Sequence, residues 1–427
     1  MSKSDNRFRR RNWRCFEMRV VAAGLALLVN SACLYAKTIV VGAGYEHATI
    51  SAALGSAAAG DTVVITTGLY REHDLLVDRK LTVLGHGEAI LDGELRHAIM
   101  TVKSDSVVVR GLHFVNAGVS FVKDNAALRF EQVIGGIIDS CRFDDNFFGI
   151  YLADSRQCRI SNNVLQASQE RESHSGNGIH LWKSRDIAIY GNTIVGHRDG
   201  IYLEFVRHSE IQGNQSRLNR RYGLHFMYSD SCTYTGNTFR ENGAGVAVMY
   251  TKGVSMLNNE FADNWGAASY GLLLKDIADS RIAGNRFLRN TVGIFNEGST
   301  RIVVEKNEFR ENGWALKIMA NCVDNNFTGN NFIANAFQVA TNGRRSYSTF
   351  AGNYWSNYEG YDLDRDGIGD IPFRPVSLYS LLVERMPGSL ILLRSLLTDV
   401  LDLAERVLPS LTPETFIDAE PHMRMIL

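Results

Sequence analysis

Two methionines, Met227 and Met249, stand 22 residues apart, and His225 precedes the first by two positions. Thioether sulfur and imidazole nitrogen form the donor set of a soft or borderline metal, Cu(I) above all, and a thioether binds without losing a proton. His180 falls at the position equivalent to His225 when the chain is aligned on itself, and joins the candidate set. Read without a metal, the same residues describe an apolar patch for a partner protein to cover. A second constellation, Asp362-x-Asp364-x-Asp366-Gly367-x-Gly369-Asp370, matches the first nine positions of an EF-hand-type calcium loop. Its twelfth position is Phe373 rather than Glu, so the run is either a weak calcium site or a rigid acidic turn. A third cluster, His422-Met423-Arg424-Met425, sits where a frayed terminus is expected. The remaining histidines, among them His73, His97 and His197, show no metal-ligand spacing and read as structural or exposed.

Residues 22 apart become neighbours only if the chain repeats. A phrase of the form apolar-x-Gly/Asn-Asn-x-apolar recurs with its Asn at Asn163, Asn192, Asn214, Asn237, Asn259, Asn285, Asn307, Asn330 and Asn353. A second Asn follows five residues later in most turns, as at Asn219, Asn242, Asn264, Asn290, Asn312 and Asn335. Short runs of alternating apolar and polar residues separate these corners, with no helical stripe, so the units are strands of a solenoid. The prediction is an all-β protein, a right-handed parallel β-helix over residues 37–375, with coils about 4.8 Å apart and equivalent residues stacked in columns. A helix over Thr49–Ala59 caps its first coil. One outward column reads Tyr151, His180, Tyr202, His225, Ala247, Leu273, Phe295 and Lys317; the next reads Ala153, Trp182, Glu204, Met227, Met249, Lys275 and Glu297. Cys141, Cys158, Cys232, Cys322 and Met256 fall in inward slots, as core residues rather than ligands or disulfide partners.

Composition agrees with this reading. The chain has 427 residues, 38 Gly, 31 Asn and only 6 Pro, which suits many short strands and tight turns. Residues 1–36 combine seven Lys/Arg with the apolar run Val20–Val29 and read as an export signal. Without them the net charge moves from -1 to about -6, so the mature chain is acidic and extracytoplasmic, and nucleic acid is excluded as a partner. The outward columns offer no pair of adjacent carboxylates and no lysine beside an acidic cluster, so neither a hydrolase nor a lyase is expected. The alternative is a carbohydrate-binding or carbohydrate-active β-helix acting on an acidic polysaccharide along Tyr151, Trp182 and Tyr202. Residues 376–427 abandon the Asn pattern, and Ser389–Leu408 reads as an amphipathic helix with Ser389 as N-cap and Pro409 as stop. Its apolar residues, among them Leu393, Leu397, Val400, Leu401 and Leu408, either pack along the solenoid or dock on a membrane partner.

The Asn-rich coils ending in Gly352-Asn-Tyr-Trp-Ser-Asn-Tyr358-Glu-Gly, the acidic run to Pro372, the Leu-rich tail and a terminal Asp-x-x-Pro421 resemble the NosD family, periplasmic copper-binding proteins of nitrous oxide reductase maturation. The resemblance covers nearly the whole mature length and is most specific from Gly352 to Pro372. It implies a non-enzymatic metal chaperone that passes on copper, or the sulfur that the reductase cluster needs. The implied partners are the transmembrane subunit of an ABC transporter with its cytoplasmic ATPase, nitrous oxide reductase and a copper chaperone. The implied location is the periplasm, at the inner membrane through a partner, with the tail seated on the transporter.

Overall fold

The computed structural model describes residues 36–120, 123–168, 175–343, 347–393, 395–408, 412 and 415–426, so the export signal, apart from Ala36, and Pro409 lie outside the described residues. Three parallel sheets run the length of the chain. The first begins at Thr38–Val41 and ends at Tyr347–Ala351; the second runs from Leu75–Val77 to Phe337–Ala340; the third runs from Gly68–Tyr70 to Tyr354–Trp355. Each strand pairs with its equivalent on the next coil, which makes a β-solenoid of about 13 turns.

The corners explain the Asn repeat. Asn163 Nδ2 donates to Asn192 Oδ1 at 2.9 Å, and the same bond recurs along the column until Asn330 donates to Asn353 at 3.0 Å. Each Oδ1 also accepts the backbone N–H of the Asn one coil earlier, so a buried turn that no strand satisfies is satisfied by side chains. The residue before the ladder Asn is left-handed, with φ near +60° at Gly191, Gly213 and Gly236 and +55° at Asn162, which only Gly and Asn adopt at little cost. A second ladder runs through Asn219, Asn242, Asn264, Asn290, Asn312 and Asn335. Inside, Phe239, Phe261, Phe287, Phe309, Phe332 and Trp355 stack face to face with centroids 4.0–5.6 Å apart. Cys141, Cys158, Cys232 and Cys322 are buried and unbridged, and Met256 is fully buried.

Both ends are covered. Helix α1 (Ile50–Ser56) starts where Thr49 Oγ1 accepts from the Ala52 N–H, and it buries Ile50, Ala53 and Leu54 against the first coil. At the other end the structure departs from the sequence expectation. A helix that the sequence reading did not place, α2 (Leu378–Arg385), comes first, and the single helix read over Ser389–Leu408 is two elements, a 3₁₀ turn (Pro387–Leu392) and α3 (Leu396–Val407). Pro387 opens the 3₁₀ turn and Leu393 is extended, so the helical path from Ser389 is interrupted; Ser389 is buried, its Oγ donating to Met386 O. Nor is the C-terminus frayed. Residues 416–426 return to the last coil, whose exposed edge would otherwise be unpaired: His422 N–H donates to Asn353 O (2.9 Å) and Ile426 N–H to Asn331 Oδ1 (2.9 Å). Asp418, fully buried, ends the Asn ladder. Its carboxylate accepts from Asn353 N (3.0 Å), Asn353 Nδ2 (2.9 Å), Trp355 Nε1 (3.0 Å) and Gly352 N (3.1 Å).

Candidate functional site

The second sheet carries the candidate ligands, and its register places them as the columns require. Tyr151, His180, Tyr202, His225, Ala247 and Leu273 face one another on successive coils. Met227 pairs with Met249, with Glu204 one coil before and Lys275 one coil after. Strand alternation puts His225 and Met227 on the same side of Tyr222–Met227.

His180 is not part of the same site as His225. The two lie two coils apart with the Tyr202 ring between them, its centroid 4.8 Å from each imidazole. This column is outward but not exposed: Tyr151, His180 and His225 are all buried, because the rings of Tyr151, His180, Tyr202, His225 and Tyr222 cover one another at 4.6–4.8 Å. Tyr151 packs against Phe148 and Ala126, so it is not the open sugar platform that the carbohydrate reading needs. Burial, aided by the charge of Arg198, pushes His180 down to about 3, which keeps it neutral. Its Nδ1 lies 3.1 Å from the Asn177 amide nitrogen, an arrangement that leaves the proton on Nε2 and no lone pair there.

His225 is held differently. Its Nδ1 lies 3.4 Å from Oδ2 of the buried Asp199, while Nε2 is buried without a hydrogen-bond partner among the described residues. A carboxylate on Nδ1–H fixes the tautomer and leaves a basic lone pair on Nε2, the arrangement in which metal-ligating histidines are held. Sequence reasoning missed Asp199, whose partner lies one coil away and 26 residues along the chain. Met227 and Met249 are half-buried, reachable from solvent beside it. Among the described residues the cysteines offer no competing soft site, since burial pushes Cys141 and Cys232 up to about 12, Cys158 up to about 11 and Cys322 upward as well, so none is a thiolate.

Asp362, Asp364 and Asp366 do converge, their carboxylates within 4.8 Å of one another. They also hold their own backbone: Asp362 accepts from Arg365 N (2.6 Å) and Gly367 N (3.0 Å), and Asp366 from Ile368 N (2.7 Å). Burial raises the Asp362 carboxyl, but the Gly367 and Arg365 N–H groups outweigh it and hold the group below the ordinary carboxylate range. Asp370 is apart from that trio, accepting from Leu363 N (2.8 Å), and Phe373 forms a bridge to Asp418. The structure also joins His73, Asp74 and His97, which sequence spacing did not connect because they span two coils. The imidazoles stack at 3.6 Å, and His73 Nδ1 lies 2.9 Å from Asp74 Oδ2.

The predicted docking residues divide. Leu393, Leu397, Val400 and Leu408 are exposed, whereas Leu401 packs against the cluster of Phe337, Tyr379 and Val383. Leu396, Leu403 and Val407 are exposed as well, at 80%, 62% and 68%, so α3 turns most of its apolar surface outward. Among the described residues no helix is long and apolar enough to cross a membrane.

Fold and site together give a parallel β-helix with a Met/His face and an apolar tail. The model for right handed beta helix regions matches residues 94–194, and the model for the periplasmic copper-binding protein NosD matches residues 166–360. A probable ABC transporter binding protein NosD from Pseudomonas aeruginosa is 29% identical over 82% of this chain and 86% of its own; one from Stutzerimonas stutzeri is 25% identical over 79% and 81%. The chain is thus a relative of NosD, as its Asn-rich coils and the Gly352–Pro372 block imply. The catalytic domain of a GH87 alpha-1,3-glucanase shares the fold, with a TM-score of 0.56 at 13% identity over 75% of this chain and 69% of that one.

Proposed function

We propose that this protein is a periplasmic, non-enzymatic accessory protein that binds Cu(I) on the second sheet and passes it on during maturation of nitrous oxide reductase, docked through α3 on the transmembrane subunit of an ABC transporter. The observation that carries the copper reading is the Asp199–His225 pair, whose free Nε2 lies on the same strand face as Met227, with Met249 facing Met227 on the next coil. Two thioethers and one oriented imidazole favour Cu(I) over harder ions and release it by ligand exchange without a proton. The copper-binding description of the matching family and the ABC transporter binding names of the relatives support the same reading. The exposed leucines of α3 supply an apolar surface for a membrane partner, and ATP hydrolysis belongs to that partner. Anaerobic Cu(I) titration against a chromophoric chelator tests it. Saturable binding that is lost in Met227→Leu/Met249→Leu is the expected result; binding unchanged in that variant refutes the site.

A further inference from the structure

Three aspartates pair with histidine among the described residues, and for two of them an arginine already answers the carboxylate. Arg142 Nε lies 2.7 Å from Asp144 Oδ2, beside His113, and Arg221 Nε lies 3.9 Å from Asp199 Oδ1, beside His225. Asp74 is held differently. Among the described residues it pairs with no lysine or arginine; two imidazoles flank it instead, His73 Nδ1 at 2.9 Å and His97 Nδ1 at 4.0 Å from the same oxygen, Oδ2.

The backbone that carries these side chains is fixed at the corner leading into the second sheet. Asp74 N–H donates to Ala98 O (2.9 Å) and Leu75 N–H to Ile99 O (2.9 Å), which ties this corner to the residues just after His97 on the next coil. His97 N–H donates to Gly93 O (3.1 Å), and its carbonyl accepts from Gly118 N–H (3.0 Å). One donor atom from each of the three side chains lies within 4.8 Å of the others. Ligands about 2.0–2.1 Å from a tetrahedral ion stand about 3.3 Å apart, and the separations of 2.9 and 4.0 Å bracket that value. The imidazoles are parallel within 8°, their centroids 3.6 Å apart, and an ion lies close to the plane of each imidazole that binds it, so at least one ring turns when the two share an ion. The side chains of His73 and His97 are 40% and 37% exposed, and a histidine turns readily about its Cβ–Cγ bond.

We propose that His73, Asp74 and His97 bind a borderline divalent ion, Zn(II) in the first instance, with water completing its shell. Two imidazole nitrogens and one carboxylate oxygen with a position left open form a zinc donor set. Calcium and magnesium take oxygen shells and Cu(I) takes softer sulfur donors, so the set selects against all three. The ion replaces the proton between His73 Nδ1 and Asp74 Oδ2, which leaves to solvent, and it answers the Asp74 charge. The site stands six coils from His225, about 29 Å at about 4.8 Å per coil, so its ion is not shared with the Met/His face.

The test is calorimetric titration of the purified, chelator-treated protein with Zn(II), beside the visible spectrum of the protein titrated with Co(II). A saturable site is expected, weakened at least about tenfold in Asp74→Asn, a loss that even an outer-shell partner can cause, and abolished in His73→Ala/His97→Ala. All three side chains are at least a third exposed, so the metal-free thermal midpoint of the variants is expected to match that of the parent. Absence of saturable Zn(II) binding overturns the proposal. So does binding at the parent's affinity in the double variant, or displacement of Zn(II) by an equal concentration of Ca(II).

Discussion

His197 occupies the slot of the second Asn ladder that Asn219 and Asn242 fill on the next coils, and replacing it by Asn tests how that ladder works. Its backbone N–H donates to Asn219 Oδ1 at 3.0 Å, as an Asn at that position would, but the ring is fully buried and neither nitrogen has a hydrogen-bond partner of good geometry among the described residues. Burial pushes its pKa down to about 4 from an ordinary 6.5; the charge of Asp145 and the nearby Gly176 carbonyl, already bonded to Arg198 N–H at 3.0 Å, oppose this only in part. Because the folded value is depressed, the unfolded chain takes up a proton between pH 6.5 and 4 that the folded chain refuses. The stability is fully present above that window and is lost as pH falls through it. At about 1.36 kcal/mol per pH unit, pH 5 lies roughly 1.5 units into the window, so this one histidine removes about 2 kcal/mol between pH 7 and pH 5. His197→Asn leaves no titrating group and lets the new amide donate to Asn219 Oδ1, as Asn219 donates to Asn242 at 2.8 Å. Satisfying a buried polar group contributes about 1–3 kcal/mol, and the volume lost with the ring offsets about 1 kcal/mol. The variant is therefore expected to be more stable by about 1 kcal/mol at pH 7 and about 3 kcal/mol at pH 5, measured by urea unfolding at both values. Other titrating groups cancel in the difference between variant and parent. A variant less stable at both pH values, or one with the parent's full pH dependence, refutes the argument.

The remaining expectations concern the ends of the solenoid and the metal face. Asp418→Ala strips the acceptor from four donors around Asn353 and Trp355 and is expected to cost about 3 kcal/mol or more, seen as early loss of hydrogen-exchange protection in the last coils. Asp199→Asn is expected to weaken Cu(I) binding by about tenfold or more while the methionines stay in place, read in the same chelator competition; unchanged affinity would show that Asp199 does not orient the ligand. Leu396→Ser/Val407→Ser is expected to leave the thermal midpoint within a degree or two, since both side chains are exposed, and to abolish co-purification with the solubilised transporter.

Asn spacing alone carried the architecture, because a ladder of side-chain amides works only if equivalent corners stack, and stacking fixes a constant period. Once the period is known, the columns follow, so Met227 facing Met249 was legible without coordinates. Much of the chemistry around them was not. Asp199 reaches His225, Asp418 reaches Asn353, and His73 joins His97 by contacts between coils or between the tail and the last coil. Such pairs have no local spacing to betray them. Periodicity also gives the direction of a side chain but not what shields it, which is why an outward column turned out to be buried under its own rings. The return of residues 416–426 was decided by the unpaired edge of the last coil, a demand that exists only once the solenoid has formed.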